Sequence, residues 1–587
     1  MTGAGARGRG AGRRWLLLVG SSLAVPVGVL LALRPFASLA VLVVGVSVGL
    51  LVLGVVRLVA DRGTAPARWW WLAGVAHLVA ALVVVLWPGP TIRVLAVAVG
   101  LALVVDGVLD LVVARRARGR VRASASLSGA TSVPLGGLAL AWPDVTVLVV
   151  AVLFGARVLL AGLRGVAAAV RGHGPSPGAR SQRRTRPGAW RLAGDAAALV
   201  VTLVLVAVGV GIDRAAHHPD DFYATPADVP GEPGRLLGSE PFVSGEVPAN
   251  AAAWRILYTT TRVDGTPTVA SGLVVAPRAA TGEDARPADV VAWAHGTTGV
   301  RPGCAPSVLP DGLAAGAMFV LDDVLAQGWA VVATDYAGLG TADPHAYLVG
   351  RAAAHDVLDA VRAAHELDGV TLRDRHVVWG HSQGGGAALW AGIVAPGYAP
   401  DVELLGVAAL APASNPSALL AHLPEVSVGA LFAAYLAQGY ATTYPDVRLD
   451  DVVRPGARVI VQEMAQRCLA ERGVVVSALT ALLLDQPVWE HDDPYTGAFG
   501  ERLDENVPSG PIDAPLLVAQ GTADSIVVAS AQDEYVAARC AAGHAVDHRS
   551  YEGLDHVALV EAGSPLVPDL LAWTHARFVG TTPTDTC

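Results

Sequence analysis

Charged side chains are scarce in this chain, and lysine is absent altogether. Only 16% of the 587 residues are charged while 53% are hydrophobic, a composition too apolar for an ordinary soluble protein. The charges are also unevenly distributed: residues 1–212 contain 22 arginines, five aspartates and no glutamate, a formal charge of +17. Residues 213–587 carry 20 arginines against 46 acidic side chains, a formal charge of −26. The chain therefore has two parts of different character.

Seven apolar runs in the basic first part are long enough to cross a bilayer. A hydrocarbon core of about 30 Å is spanned by roughly 20 helical residues. The first run is not expected to be a cleaved signal peptide, because only Arg34 and Pro35 separate it from the second. The predicted transmembrane helices lie near residues 15–33, 36–60, 69–87, 91–114, 124–142, 144–170 and 190–212.

The loops between these runs alternate between arginine-rich and nearly uncharged segments. "ARRARGRVR" after the fourth run is typical of the first kind, and the corners "RP", "WPGP" and "WPD" of the second. The positive-inside rule places the N-terminus in the cytoplasm, and seven spans then place everything after residue 212 outside the cell. A nucleic-acid patch would be the alternative, but the recurrence of arginine at every second loop argues against a nucleic-acid partner.

The first six runs also form an internal repeat. Equivalent prolines and glycines recur at intervals of 53 and 55 residues: Pro35, Pro88 and Pro143 at the corners, and Gly54, Gly107 and Gly162 after them. Three helical hairpins explain this spacing. Over roughly residues 15–170 the pattern resembles the small membrane proteins of the HdeD acid-resistance type, whose biochemical role is poorly defined.

From about residue 220 the chain alternates short apolar strands with amphipathic helices. "ADVVAWAHG", "GWAVVATDYAG" and "RHVVWGHS" are strand-like runs that end in turn residues. Continuous apolar strands alternating with helices indicate a parallel sheet covered on both faces. The predicted fold class is thus an all-α membrane domain followed by an α/β domain.

The pattern G-x-S-x-G occurs three times, at residues 45–49, 174–178 and 380–384. In a chain with 65 glycines such a match carries little weight by itself. The first copy lies inside a predicted span and the second in an arginine-rich cytoplasmic loop. Only the third lies between a strand and a helix, the context that exposes a nucleophilic serine at the end of a sheet. Ser382 is therefore the candidate nucleophile.

A serine nucleophile needs a general base that a carboxylate orients. In α/β-hydrolases the acid follows a later strand and the histidine comes after it. Asp524 in "LLVAQGTADSIV" and His556 in "YEGLDHVAL" have this order. A turn aspartate and a helix-capping histidine are the alternatives, and Asp555 is a less suitable acid because neighbouring side chains rarely face each other.

The tetrahedral intermediate also needs two backbone N–H donors. The amide of Gln383, directly after the nucleophile, is expected to be one of them. "AWAHGTTG" supplies the other donor, assigned to Thr297, from the loop after an earlier strand. His295 in the same loop is expected to be structural.

Five segments from about residue 220 to residue 578 resemble the secretory lipase family, the lipase A-like group of α/β-hydrolases. They include "WAHGTTGVRPGCAPS", "DYAGLGTADPHAYLVGR" and "WGHSQGGGAALWAG". The resemblance implies hydrolysis of carboxylic esters and acylglycerols without metal or cofactor, under a helical cap at about residues 413–510. The expected domains are a membrane domain (1–212), an exported lead-in segment (213–240) and the hydrolase domain (241–587).

Only four cysteines are present, and all lie in the second part: Cys304, Cys468, Cys540 and Cys587. An even number outside the cytoplasm indicates disulfides, with three possible pairings. The lipase resemblance suggests Cys304 with Cys468, and Cys540 with Cys587. A metal site is not expected, because no cysteine pair has ligand spacing.

The sequence therefore predicts a membrane-anchored extracellular serine hydrolase that cleaves esters or lipids. Acyl transfer to a cell-envelope lipid or sugar is an alternative, because the triad chemistry is the same. A membrane transport or stress protein with a ligand-binding, hydrolase-like domain is the alternative from another class.

Overall fold

The computed structural model describes residues 88–142 and 189–587 apart from 427, 485–486 and 491–493, together with isolated positions between 22 and 166. The chain divides into two compact units. One comprises Met1–Arg214, Pro455–Ile460 and Leu482–Pro487; the other comprises Ala215–Arg454, Val461–Ala481 and Val488–Cys587. The predicted spans near 15–33, 36–60, 69–87 and 144–170 lie outside the described ranges, so the count of seven stays a prediction.

Three long helices are described in the first unit: α1 (Pro88–Arg116), α2 (Gly119–Ala141) and α3 (Ala189–Arg214). They fall on the predicted spans near 91–114, 124–142 and 190–212. Among the described residues, one helix, Leu192–Arg214, is long and apolar enough to cross a membrane.

Glycines bring α1 and α2 into close contact. A Cβ at Gly129 would lie 2.7 Å from the Gly107 carbonyl oxygen, and a Cβ at Gly136 would lie 2.7 Å from that of Gly100. Small residues at such contacts let helix backbones approach, which is typical of helix pairs in membranes. Gly107 is one of the three glycines of the sequence repeat, so its position in the repeat coincides with a packing contact.

The second unit is built on a nine-stranded sheet in the order β1-β2-β3-β5-β4-β6-β7-β8-β9. Three neighbouring pairs are antiparallel: β1 with β2, β2 with β3, and β3 with β5. The remaining neighbours, from β5 through β4, β6, β7 and β8 to β9, are parallel. The strands are β1 (Leu236–Pro241), β2 (Ala251–Thr261), β3 (Pro267–Pro277), β4 (Ala288–Ala294), β5 (Ala330–Thr334), β6 (Leu372–His381), β7 (Leu404–Leu410), β8 (Leu516–Gly521) and β9 (Asp547–Tyr551).

Helices cover both faces of the parallel part, as the uninterrupted apolar strands predict. The helices that follow α3 in the chain are α4 (Gly312–Ala315), α5 (Leu321–Ala326), α6 (Gly350–His365), α7 (Gln383–Tyr398), α8 (Pro416–His422), α9 (Gly429–Thr443), α10 (Leu449–Val452), α11 (Arg458–Met464), α12 (Val474–Leu483), α13 (Gly497–Glu505), α14 (Ala529–Ala541) and α15 (Leu566–Phe578). Alternate residues of β4 enter different cores: Val290 packs with α6 and α7, and Val291 packs with α5 and α15. The α/β prediction is confirmed for this unit.

The topology places the functional segments at one edge of the sheet. The carboxyl ends of parallel strands lie together, and here they lead into the segments after β4, β6 and β8. Helices α8 to α13 form the segment between β7 and β8, where the sequence predicts a cap.

Two disulfides tie the connecting segments down. Cys304, after β4, is bonded to Cys468, between α11 and α12, and Cys540 in α14 is bonded to the C-terminal Cys587. These are the two pairs that the lipase resemblance implies.

Candidate active site

Ser382 lies at a sharp turn between β6 and α7. Its φ of 59° falls in the left-handed region, which is unfavourable for a residue with a side chain. Such a backbone is retained only where the surrounding structure enforces it. Here the strand before it and the helix after it end and start within one residue of the serine.

The two glycines of the motif are required by close backbone contacts. A Cβ at Gly380 would collide with the carbonyl of Gly384, and a Cβ at Gly384 would collide with the carbonyl of Ala294 at the end of β4. The spacing G-x-S-x-G at residues 380–384 thus follows from how tightly α7 packs on the strands. The other two copies of the pattern lie outside the described residues.

His556 and Asp524 form a buried pair. The Nδ1 atom of His556 lies 2.7 Å from Oδ2 of Asp524, and the two side chains are 9% and 0% exposed. Because Asp524 follows the end of β8 and His556 follows β9, the pair joins two neighbouring segments at the same edge of the sheet. An Nδ1–H that donates to Asp524 leaves Nε2 as the basic nitrogen of the ring.

The environment of Asp524 keeps its carboxylate ionised. Burial alone would raise the pKa, but the hydrogen bond and charge of His556 and two backbone N–H groups outweigh it, so the pKa lies below its usual value. Those N–H groups, of Ile526 and Val527, donate to Oδ1 at 2.9 Å each. The Gln520 amide also donates to Oδ2, at 3.1 Å.

Asp555 has a different role from that of an orienting acid. Its Oδ1 accepts the backbone N–H groups of Val557 and Ala558 at 3.1 and 2.8 Å, which caps the turn after His556. The preference for Asp524 over Asp555 therefore agrees with the hydrogen bonds around both.

Ser382 and His556 line one cavity of about 330 Å³. Its wall also contains Gln383 and Thr297, the two predicted oxyanion residues. Apolar side chains of the helical segment between β7 and β8 complete it: Leu419, Phe432 and Leu469. The structure therefore brings Ser382, His556, Gln383 and Thr297 to one cavity, and Asp524 contacts His556 without lining that cavity itself.

The proposed oxyanion donors are held by their side chains. Gln383 is the first residue of α7, so its N–H has no acceptor within the helix and lies at the positive end of the helix dipole. Its side-chain amide contacts Nε2 of His345 at 3.1 Å. The Thr297 hydroxyl hydrogen-bonds the hydroxyl of Tyr347 at 2.9 Å.

His381 is a site residue that the sequence analysis missed. Its Nε2 lies 2.9 Å from the carbonyl oxygen of His556, and the two rings are 4.7 Å apart. Burial lowers the pKa of His381 to about 3, so the ring is neutral and donates to that carbonyl. The sequence places His381 directly before the nucleophile, but this position belongs to the variable part of the G-x-S-x-G motif. The motif alone therefore does not predict that His381 contacts His556.

His295 is buried in the loop after β4, as expected of a structural residue. Its ring nitrogens lie 2.6 and 3.1 Å from the carbonyl oxygens of Gly296 and Asp335. Burial lowers its pKa to about 4, so it is neutral at physiological pH. Within the described part of the chain, no three His, Cys, Asp or Glu side chains cluster as a metal site.

The fold and this site define the class of the second unit, a carboxylic ester hydrolase with the α/β-hydrolase fold. Residues 313–586 match the secretory lipase family. The chain is 25% identical over 417 residues to "Lipase 6" of Candida albicans, which covers 63% of this chain and 83% of that protein. The chain therefore carries a secretory lipase domain, as its motifs imply.

Two further comparisons bear on this domain. A "probable inactive lipase" of Mycobacterium tuberculosis is 26% identical over 403 residues, which covers 62% of this chain and 83% of that protein. The closed state of Candida antarctica lipase A superposes with a TM-score of 0.51 at 21% identity, over 63% of this chain and 87% of that one. This superposition shows that the two proteins share a fold.

The first unit has a family of its own. Residues 19–83, 72–133 and 127–206 match the short repeat of unknown function DUF308. Three consecutive matches agree with the three hairpin repeats predicted from the prolines and glycines. The resemblance to the HdeD type is thereby confirmed, and the chain is a fusion of such a region with a secretory lipase domain.

Proposed function

We propose that the chain is a membrane-anchored serine hydrolase that cleaves carboxylic esters through an acyl-enzyme on Ser382. One observation carries the proposal: His556, which is paired with the buried Asp524, shares a cavity with a serine held at a strained strand-to-helix turn. A carboxylate that fixes Nδ1 of a histidine leaves Nε2 free to take the serine proton, which is the arrangement this chemistry needs.

The proposed reaction proceeds in two steps. The Ser382 hydroxyl attacks the ester carbonyl while Nε2 of His556 takes its proton, and the same proton then goes to the leaving alcohol. Water, activated by His556, releases the acid from the acyl-enzyme. The N–H groups of Gln383 and Thr297 are assigned to the oxyanion, whose stabilisation is typically the largest single contribution in such sites.

The cavity supports an apolar acyl group as the substrate. Its walls away from the polar residues include the apolar side chains of Leu419, Phe432, Leu469 and Val557. Lipase-named relatives point to the same class, although one of them is called probably inactive. The intact serine, histidine and aspartate in this chain favour catalysis over a domain that only binds ligands.

The proposed location of this domain is the outer face of the cell membrane. Helix α3 ends at Arg214 and is of membrane-spanning length, and the alternation of arginine-rich and uncharged loops in the sequence favours an outside location for the residues after it. Two disulfides in the second unit suit an oxidising compartment.

Replacement of the nucleophile tests the chemistry. In Ser382→Ala, we expect hydrolysis of a short p-nitrophenyl ester by membranes that contain the protein to fall at least about 10³-fold, because the loss of a triad member removes covalent catalysis. Ser239→Ala, a change at an exposed serine of the edge strand β1, is the matched control and should keep full activity. Equal rates in the two variants would refute the assignment.

A further inference from the structure

Three buried rings lie in the segment that connects β5 to α6, residues 335–349. They are Tyr336, His345 and Tyr347. The centroids of Tyr336 and His345 are 5.7 Å apart, and those of His345 and Tyr347 are 6.2 Å apart. Rings at these distances are in contact, so the three side chains support one another.

The two tyrosines of this segment hold the loop that contains Thr297. The Tyr336 hydroxyl donates to the carbonyl oxygen of His295 at 3.0 Å, two residues before Thr297. The Tyr347 hydroxyl is 2.9 Å from the hydroxyl of Thr297 itself. The third ring, His345, contacts the other assigned oxyanion donor, Gln383. One connecting segment therefore contacts both sides of the proposed oxyanion hole.

The hydrogen bonds of His345 determine which of its nitrogens carries the proton. Burial lowers its pKa to about 4, so the ring is neutral at physiological pH. Nδ1 lies 3.1 Å from the carbonyl oxygen of Ala337, which can only accept, so Nδ1 carries the hydrogen. Nε2 is then an acceptor, and the side-chain amide of Gln383 donates to it at 3.1 Å.

The residue that orients His345 is itself anchored. The N–H of Ala337 donates to Oδ2 of Asp356 at 3.0 Å, and Asp356 is a buried residue of α6. A continuous series of hydrogen bonds thus runs from α6 through Ala337 and His345 to Gln383. Since each of these side chains is buried, water does not compete for the contacts.

The amide of Gln383 depends on His345 for its orientation. Within the part of the chain that the structure describes, its buried Oε1 has no hydrogen-bond partner, so the contact with His345 is the one that restrains the amide. A buried amide oxygen without a partner is unfavourable. An apolar side chain at position 383 would therefore suit a purely structural role better than glutamine does.

We propose that His345 is a positioning residue for the oxyanion hole, and this role rests on the function proposed above. A side chain anchored at its far end limits rotation about the N–Cα bond of Gln383, and with it the direction of the backbone N–H assigned to the oxyanion. Donors held in place before the reaction stabilise the developing charge without reorganisation. The shared support from residues 335–349 fixes Gln383 relative to the loop of Thr297.

His345→Asn tests this role in the full chain, purified in detergent. Asparagine places its amide near Nδ1, so it keeps the bond to Ala337 but does not reach Gln383. We expect kcat for a soluble p-nitrophenyl ester to fall about tenfold, because the donor is displaced rather than removed. KM should change little, since His345 lies outside the wall of the catalytic cavity. His345→Gln, whose longer side chain brings an amide near Nε2, should restore most of kcat.

His376→Asn is the matched control. His376 is also a buried, neutral histidine with a pKa of about 4, and its Nδ1 is 3.1 Å from the carbonyl oxygen of Glu403. Its Nε2 faces a side chain, that of His365, at the opposite end of β6 from Ser382. This variant should keep kcat even where its thermal midpoint falls as far as that of His345→Asn. An equal loss of kcat in both, an unchanged kcat in His345→Asn, or a change in KM alone would overturn the positioning role.

Gln383→Leu provides a second measurement that does not need His345→Asn to fold. It keeps the backbone N–H, removes the unpaired amide oxygen and abolishes the contact with His345, so we expect a similar loss of kcat in a stable protein. The double variant should be no slower than either single variant, because both remove the same interaction. Full kcat in Gln383→Leu, or losses that multiply in the double variant, would contradict the proposal.

The outcomes separate this proposal from the function on which it rests. Hydrolysis that persists in Ser382→Ala would refute the serine chemistry itself. Hydrolysis that disappears in Ser382→Ala but is indifferent to His345 and to the side chain of Gln383 would refute the positioning role alone.

Discussion

The side chains of the candidate site are held by backbone groups as much as by one another. The carboxylate of Asp524 accepts hydrogen bonds from two backbone N–H groups, and the carbonyl oxygen of His556 accepts one from the ring of His381. These contacts restrict both partners of the Asp524–His556 pair to one geometry. An enzyme benefits from such preorganisation, because no reorientation is then needed during the reaction.

Asp524→Asn tests the orienting role at the residue scale. The variant keeps the size of the side chain but removes the charge and can hold the wrong tautomer of His556, so we expect kcat to fall on the order of 10⁴-fold. The control is Asp555→Asn, which changes only the turn cap and should retain most activity. Ester hydrolysis of both variants at pH 7 to 8 is the measurement, and a similar loss in both would contradict the assignment.

The pKa of the Asp524 carboxyl also predicts how the stability of the folded protein changes with pH. Because the pKa of Asp524 is held below its usual value, its contribution to stability is present above about pH 4 and is lost as the pH falls through the lower pKa of the folded state. In Asp524→Asn, the free energy of unfolding, measured as a function of pH, should lack the decrease at acid pH that protonation of Asp524 causes.

At the scale of elements, the site depends on how closely α7 approaches the sheet. The helix begins at the residue after Ser382, and its first turn passes over the end of β4. Small residues, Gly384 to Ala388, make this approach possible and are buried. The turn at Ser382 is thus enforced by packing on both sides rather than by local preference.

Two glycine substitutions in α7 separate packing from helix propensity. A Cβ at Gly384 would overlap the β4 backbone, so we expect Gly384→Ala to lower the free energy of unfolding by more than about 2 kcal/mol. At Gly397, near the end of the same helix, a Cβ would have no neighbouring atom within 4 Å, so Gly397→Ala should be neutral or slightly stabilising. Thermal midpoints in detergent distinguish the two, and equal midpoints would contradict the packing argument.

At the scale of the whole molecule, the two units differ in charge and in the family that each matches. The first is basic and matches a short repeat, and the second is acidic and matches a lipase family. The proposed orientation in the membrane rests on the arginine distribution, since positively charged loops tend to remain in the cytoplasm. The proposed oxidising environment of the disulfides depends on that orientation.

Thiol labelling tests the topology of the whole chain. We expect Val243→Cys to react with a membrane-impermeant maleimide in intact cells, and Ser176→Cys, in an arginine-rich segment of the sequence, to react only after permeabilisation. The reverse pattern, or labelling of both sites in intact cells, would show that the positive-inside assignment is wrong.

Much of the candidate site could be named from the sequence because its residues stand in a characteristic chain order. Ser382, Asp524 and His556 follow the strand pattern of an α/β-hydrolase, and order along the chain is preserved whatever the packing. His381 could not be found in this way. Its partner, the carbonyl of His556, lies 175 residues away in the chain, and such a pairing becomes visible only when the fold brings the two residues together.

The sequence by itself determined the two-part organisation, the repeat, the α/β class and the nominated nucleophile, since periodicity, charge and motif order are local properties of a chain. Only the tertiary structure decided which residues hold His556 in place, why Gly380 and Gly384 are required, and which way α12 faces. In the sequence alone, α12 is an apolar run that cannot be distinguished from a buried core helix. Whether it is exposed depends on which segments pack against it, and contacts between distant parts of the chain decide this.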